Sequence, residues 1–95
     1  MEEKVLTWAA NRGILTEANT SSQFMKLMEE IGELAQALLN GNKEEQIDAI
    51  GDVQVVLIIL SHMLKLDSRE CLKSAYNVIK LRKGKMINGT FVKEK

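Results

Sequence analysis

Gln46-Ile47-Asp48-Ala49-Ile50-Gly51-Asp52-Val53-Gln54-Val55-Val56-Leu57-Ile58-Ile59-Leu60-Ser61-His62-Met63-Leu64 is the stretch on which the fold turns. Taken alone, its block Val55 to Leu60 also reads as a buried strand, because short apolar runs rich in Val and Ile suit either element. The apolar pattern, however, extends from Ile47 to Leu64 without a turn signal, about three times the length of a typical strand. That length makes it a helix, apolar nearly all round and therefore central. Asn42 followed by Glu45 gives it a capping-box-like start, since each side chain can satisfy an orphan backbone amide of the first turn.

Working outward, Gly41 ends a preceding helix whose Phe24, Leu27, Met28, Ile31, Ala35 and Leu38 recur at three- and four-residue steps. Thr20-Ser21-Ser22 offers hydroxyl caps for its start. A first helix over Glu2 to Arg12 carries Val5, Leu6, Trp8 and Ala9 and closes at Gly13, with Ile14 and Leu15 leading into a polar joint. Downstream, Asp67 with Glu70 repeats the capping-box spacing and opens a fourth helix through Leu72, Ala75, Tyr76, Val78 and Ile79, with Arg82 and Lys83 at its end before Gly84. The segment Met86 to Lys95 holds Asn88-Gly89, a hairpin-turn pair or part of a loose tail. The expected fold is all-α: four helices in one domain over residues 1–95, with a short irregular or hairpin C-terminal tail.

Composition narrows the function. A hydrophobic fraction of 45% with 27% charged residues excludes a disordered chain. Thirteen Lys and Arg balance thirteen Asp and Glu, so no bulk basicity draws the chain to a nucleic acid polymer or an acidic membrane. The start Met1-Glu2-Glu3-Lys4 lacks the look of an export signal, and the uninterrupted run Val55 to Leu60 is far shorter than the roughly 20 residues a membrane span needs. Together with a single cysteine, Cys71, this suggests the cytoplasm. A chain of this size without disulfides buries a modest core, and self-association is expected to supplement it.

The chemistry lies in acids on the second and third helices. Glu29 and Glu30 lie four and three residues before Glu33, and Asp48 lies four before Asp52, in line with Val55 and Ile59. A like-charged pair on a row that expects burial is costly unless a cation neutralises it. If the two helices pack antiparallel across Gly41-Asn42, the acidic groups face one another. All-oxygen donors without histidine or cysteine suit Mg²⁺, with Mn²⁺ as a substitute, and a divalent ion held together with substrate phosphates points to phosphate-ester or anhydride hydrolysis. The plainer alternative is a solvated Glu-rich face with surface ion pairing between Lys26 and Glu30.

Glu29-Glu30-Ile31-Gly32-Glu33, with Asp48-Ala49-Ile50-Gly51-Asp52-Val53 after it, resembles the EExxE and ExxD signature of the MazG-like all-α nucleotide pyrophosphohydrolases, in particular their short single-domain phage and bacterial members. Trp8-Ala9, Arg12-Gly13-Ile14-Leu15, Arg82-Lys83-Gly84-Lys85-Met86 and Asn88-Gly89-Thr90-Phe91 extend the likeness along most of the chain. The resemblance implies Mg²⁺-dependent cleavage of a nucleoside triphosphate, or its deoxy form, to monophosphate and pyrophosphate by a dimer or tetramer. It also implies Glu30, Glu33 and Asp52 as metal ligands and Glu29 as a group that orients or activates the attacking water. One position departs: Ala49 stands where the family has a glutamate, and Asp48, one turn before Asp52, is the candidate substitute ligand. This departure motivates an alternative, a metal- or nucleotide-binding module of the same fold that has lost turnover.

Around this site the resemblance assigns triphosphate contact to the basic run Lys80, Arg82, Lys83 and Lys85 and a polar substrate contact to Asn77. Trp8 is a candidate to stack on a base, with a core position as the plainer reading for it and for Tyr76. His62 reads as a boundary residue and Cys71 as a small core residue.

Overall fold

The computed structural model describes residues 1–94, which form five helices and one two-stranded sheet: α1 (Glu2–Asn11), α2 (Ile14–Glu17), α3 (Thr20–Asn40), α4 (Lys43–Met63), α5 (Ser68–Ile79), β1 (Gly84–Ile87) and β2 (Thr90–Lys93). The all-α expectation describes the body of the chain, and the decisive stretch is helical throughout as α4. The joint after α1 is itself helical: Gly13, at φ 76°, ends α1 and starts the one-turn α2, where a polar joint was expected.

The α3–α4 helical hairpin is built by local chemistry at both sides of its joint. Gly41 takes φ 63°, and the amides of Gly41 and Asn42 donate back to Leu38 O and Ala37 O, the Schellman closure that favours glycine. The Asn42 side chain then caps α4 by accepting from the Glu45 amide at 3.1 Å. The start of α3 differs from the expected hydroxyl cap. Asn19 is the cap, and it exchanges bonds with Ser22, the Ser22 amide donating to Asn19 Oδ1 at 2.8 Å and the Asn19 amide to Ser22 Oγ at 3.1 Å.

α4 is the central element, packing against α3, α1 and the start of α5. It also contains a stretch long and apolar enough to cross a membrane, with mean hydropathy 1.3. Asp48 and Asp52 lie on that helix, and carboxylates within a span are costly in lipid. Its second half ends in another Schellman closure, at Lys65 with φ 62°, where the amides of Lys65 and Leu66 donate to His62 O and Ser61 O. Asp67 caps α5 by accepting from the Arg69 amide at 2.8 Å.

The buried set within one chain is small: Ala9, Leu27, Ala37, Ala49, Val56, Ile59 and one acid, Glu30. The radius of gyration is 16.1 Å, against about 12 Å for a compact chain of this length. From Arg69 to Glu94 every residue is exposed, Leu72, Tyr76, Ile79, Met86 and Phe91 among them. Cys71, expected in a core, is therefore at the surface. α5 stops at Ile79, so Arg82 and Lys83 lie in the connection to β1 instead of in a last helical turn.

The tail is a hairpin. Met86 faces Phe91 and Ile87 faces Thr90 across a two-residue turn, with Asn88 at φ 50° and Gly89 at φ 79°, the signs a type I′ turn requires. Gly84 is obligatory there, because a Cβ would run into the Val92 carbonyl oxygen and the Phe91 ring.

Candidate metal centre on the α3–α4 hairpin

Antiparallel packing of α3 and α4 brings residues far apart in sequence onto one surface. Glu30, Glu33 and Asp52 each offer a carboxylate oxygen, and these lie within 4.8 Å of one another. Glu33 and Asp52 are exposed, while Glu30 is buried, with 7% of its side chain accessible. Helix periodicity explains the set: Glu30 and Glu33 share the α3 face turned toward α4, and Asp52 stands opposite them.

Glu30 carries the information in this cluster. Its Oε1 accepts from Lys26 Nζ at 3.1 Å, one turn earlier on the same helix. Its Oε2 is buried without a hydrogen-bond partner. An unsatisfied buried carboxylate oxygen is unfavourable, and two things can supply what it lacks: a proton on a neighbouring carboxyl or a cation. The neighbour's response is visible at Glu33, whose carboxyl is held above its usual range, first by a hydrogen bond shared with Glu30 and then by Glu30's negative charge, with Lys26 opposing. The Lys26 ammonium is raised by its bond to Glu30 and by the charges of Glu29, Glu30 and Glu33, against slight desolvation. A hard divalent cation fits this donor set: three carboxylates, no nitrogen or sulfur, and one buried oxygen in need of positive charge.

Beside the cluster a cavity of about 340 Å³ opens between the helices, lined by Glu33, Gln36, Glu45, Asp48, Ala49 and Asp52. Asp48 is thus in the wall next to the three-carboxylate cluster and not one of its members. Ala49, 4% exposed, is in the same wall, so the family's missing glutamate would stand between the two helices. Gln36 and Glu45 were not singled out from sequence, although Glu45, Asp48 and Asp52 form one helical stripe and Gln36 lies three residues after Glu33. Glu45 is already engaged, accepting from Asn40 Nδ2 at 3.3 Å and Asn42 Nδ2 at 3.4 Å.

The remaining candidates divide. Glu29 is exposed on the outer flank, 3.7 Å from Lys26 Nζ. Trp8 is 46% exposed, so it is not a core residue. With Lys4, Val5, Val55 and Asp52 it lines a hollow of about 360 Å³, which puts an aromatic face beside one of the three clustered carboxylates, and Arg12 lies 5.6 Å from the ring centroid. Lys80, Arg82, Lys83, Lys85 and Asn77 are on the exposed α5–hairpin segment, and among the described residues none lines the acidic cavity or pairs with its carboxylates. Lys80 lies over the Tyr76 ring at 5.8 Å, and Tyr76 is exposed. His62 is in a hollow at the α1–α4–α5 junction with Glu2, Leu6 and Arg69, away from the cluster.

A helical hairpin presenting clustered carboxylates, with the EExxE spacing on one arm and an acidic pair on the other, defines the MazG-like all-α nucleotide pyrophosphohydrolases. Within that class the chain belongs to the phosphoribosyl-ATP pyrophosphohydrolase family, whose model matches residues 6–77, from α1 through most of α5. It is also similar to an uncharacterized 18.2 kDa protein from the rep-hol intergenic region of Haemophilus phage HP1 (strain HP1c1), at 38% identity over 61 residues covering 64% of this chain. The match spans 37% of that relative's length. No solved structure matches.

Proposed function

We propose that the protein hydrolyses ribo- or deoxyribonucleoside triphosphates to the monophosphate and pyrophosphate, with Mg²⁺ or in its place Mn²⁺, as a self-associating single-domain enzyme of the cytoplasm. The observation that carries this reading is Glu30, a buried carboxylate with one oxygen on Lys26 and the other unpartnered, next to Glu33 and Asp52. Glu30, Glu33 and Asp52 would hold the ion, with Asp48 at the cavity wall as a fourth ligand. When bound, Mg²⁺ supplies a Lewis acid that offsets phosphate charge and lowers the pKa of a water.

The chain's own groups do the rest. Lys26 fixes Oε1 of Glu30 and so sets the direction of the buried carboxylate. Glu29, exposed on the flank, accepts the proton of the attacking water as it adds to phosphorus and pyrophosphate leaves from the opposite side. Trp8 stacks on the base. The cationic Lys80, Arg82, Lys83 and Lys85 neutralise the triphosphate, and Asn77 offers it an amide.

A second reading has its own observation. Ala49 removes a carboxylate from the wall of the cavity, which favours a nucleotide-binding module without turnover. The test is product analysis with a panel of nucleoside triphosphates, their deoxy forms and phosphoribosyl-ATP, each with Mg²⁺, Mn²⁺ or EDTA. Monophosphate and pyrophosphate formed from the triphosphates and abolished by EDTA support the proposal. Turnover of phosphoribosyl-ATP alone reassigns the substrate, and calorimetric binding without turnover supports the second reading.

A further inference from the structure

The carboxylate cluster, once filled, has no positive charge to spare. Lys26 and one divalent ion together cancel Glu30, Glu33 and Asp52, so the phosphates of an incoming nucleotide would meet a neutral centre. Phosphate taken from water into such a site needs a further cation close by.

α1 supplies one. Val5 is half-buried and Ala9 buried, and the next row round the helix is Lys4, Trp8 and, at the helix end, Arg12: cation, indole and cation at four-residue steps. Arg12 lies 5.6 Å from the indole centroid and steadies the ring. Lys4 is exposed and makes no ion pair among the described residues. It stands in the first turn of α1, where a cation opposes the helix dipole, so helix stability does not account for its charge.

Lys4 and Trp8 line two hollows. The outer one, of about 420 Å³, adds Glu3, Thr7 and Asn11 and none of the clustered carboxylates. The inner one, of about 360 Å³, adds Asp52, and its size falls in the ordinary range of small-ligand sites. Of the two, only the inner hollow joins an aromatic surface, an uncommitted ammonium and a carboxylate of the metal cluster. Lys4 is one helical turn, about 6 Å, from Trp8 along the axis. That spacing suits the phosphate attached directly to the sugar of a nucleotide whose base lies on Trp8, whereas the terminal phosphate of a triphosphate extends well beyond it.

We infer that Lys4 binds the α-phosphate of the nucleotide, its ammonium donating to a non-bridging oxygen while the base stacks on Trp8 and the phosphate chain runs toward Asp52. This rests on the proposed hydrolysis and adds the residue of the same chain that orients the substrate. It follows that Lys4 recognises any nucleoside 5′-phosphate, the product monophosphate included, whatever the base, and does not distinguish among nucleosides that carry no phosphate.

The test is titration of Trp8 emission with the common ribo- and deoxyribonucleoside 5′-monophosphates and with the parent nucleosides, in Mg²⁺. A monophosphate has no anhydride to cleave, so the readout is binding alone. Lys4→Met keeps the unbranched stem and removes the charge, and Lys4→Arg keeps a charge; circular dichroism checks that both fold. Lys4→Met is expected to weaken monophosphate binding about tenfold, leave nucleoside binding unchanged and lower the salt dependence, with Lys4→Arg restoring most of the affinity. Wild-type monophosphate affinity in Lys4→Met, an equal loss for nucleosides, or no response of wild-type emission to any nucleotide overturns the inference. Charge-dependent monophosphate binding by a wild type that releases no pyrophosphate from triphosphates would refute the hydrolysis alone. Conversely, a wild type that hydrolyses triphosphates while Lys4→Met binds monophosphate normally would refute the role of Lys4 alone.

Discussion

Lys26→Met probes the pair at the heart of the acidic site. The substitution keeps an unbranched side chain of similar length and removes the ammonium 3.1 Å from Glu30 Oε1. Coulomb's law at that separation gives about 1.3 kcal/mol at the dielectric of water and about 5 kcal/mol at an effective value of 20. Lys26 is 47% exposed while Glu30 is 7% exposed, so screening puts the loss nearer the lower end, about 2 kcal/mol. Because Glu30 Oε2 already lacks a partner, the variant leaves the buried carboxylate without a cationic donor, and only a protonated Glu33 can then share a hydrogen bond with it.

For a chain of this size that loss corresponds to about 10 °C in Tm. The assay is thermal melting followed by circular dichroism, in EDTA and in saturating Mg²⁺. The sign with pH follows from the direction of the shift. Lys26 is raised above 10.5, so its contribution is full below that value and disappears only as pH climbs through the folded value, leaving the difference from wild type flat across neutral pH. Mg²⁺ should recover more stability in the variant than in wild type, because the ion then supplies the only positive charge at Glu30. A variant that melts within about 2 °C of wild type in EDTA refutes the reasoning.

Other perturbations follow from the same geometry. The raised Glu33 carboxyl means that, in EDTA, its contribution to stability is full below the ordinary glutamate range and is lost as pH rises through the folded value. Wild type should therefore gain stability on moderate acidification; Glu33→Gln should be more stable than wild type at neutral pH in EDTA, lack that pH dependence and lose its response to Mg²⁺, all read from melting curves. Trp8 is the only tryptophan, so nucleotide with Mg²⁺ should change its emission, and Trp8→Ala should raise KM about tenfold, while Trp8→Phe largely restores it. Gly84→Ala forces a Cβ into the Val92 carbonyl and the Phe91 ring; amide exchange should show loss of protection over residues 84–93 with α1 to α4 retained.

The sequence displayed the helical hairpin because its signals are local and repeated: a long apolar periodicity in α4, caps at Asn42 and Asp67, and a left-handed glycine at position 41. The clustering of Glu30, Glu33 and Asp52 was legible for the same reason, since a short joint and helical spacing put facing residues together. What remained hidden depends on tertiary packing. Periodicity alone did not reveal that Glu30 is buried, and the Lys26–Glu30 spacing looked like ordinary surface pairing. An amphipathic α5 shows which side is apolar but not that its own chain leaves that side uncovered, and this is why Cys71 and Tyr76 were open to core readings; Trp8 on α1 was open to one because an apolar stripe does not show that the ring stays half exposed. The one-turn α2 and the Asn19 cap were missed because Thr20-Ser21-Ser22 is an attractive cap sequence just downstream.

In the proposed reaction the carboxylates of the α3–α4 hairpin work through a divalent ion to hydrolyse a nucleotide anhydride. Its most direct test is pyrophosphate release by wild type and Asp52→Asn, in Mg²⁺ and in EDTA, with folding of both checked by circular dichroism. The account predicts release by wild type in Mg²⁺ only and loss of at least about a hundredfold in the folded variant. Release that persists in EDTA, or an Asp52→Asn chain that turns over like wild type, would contradict it.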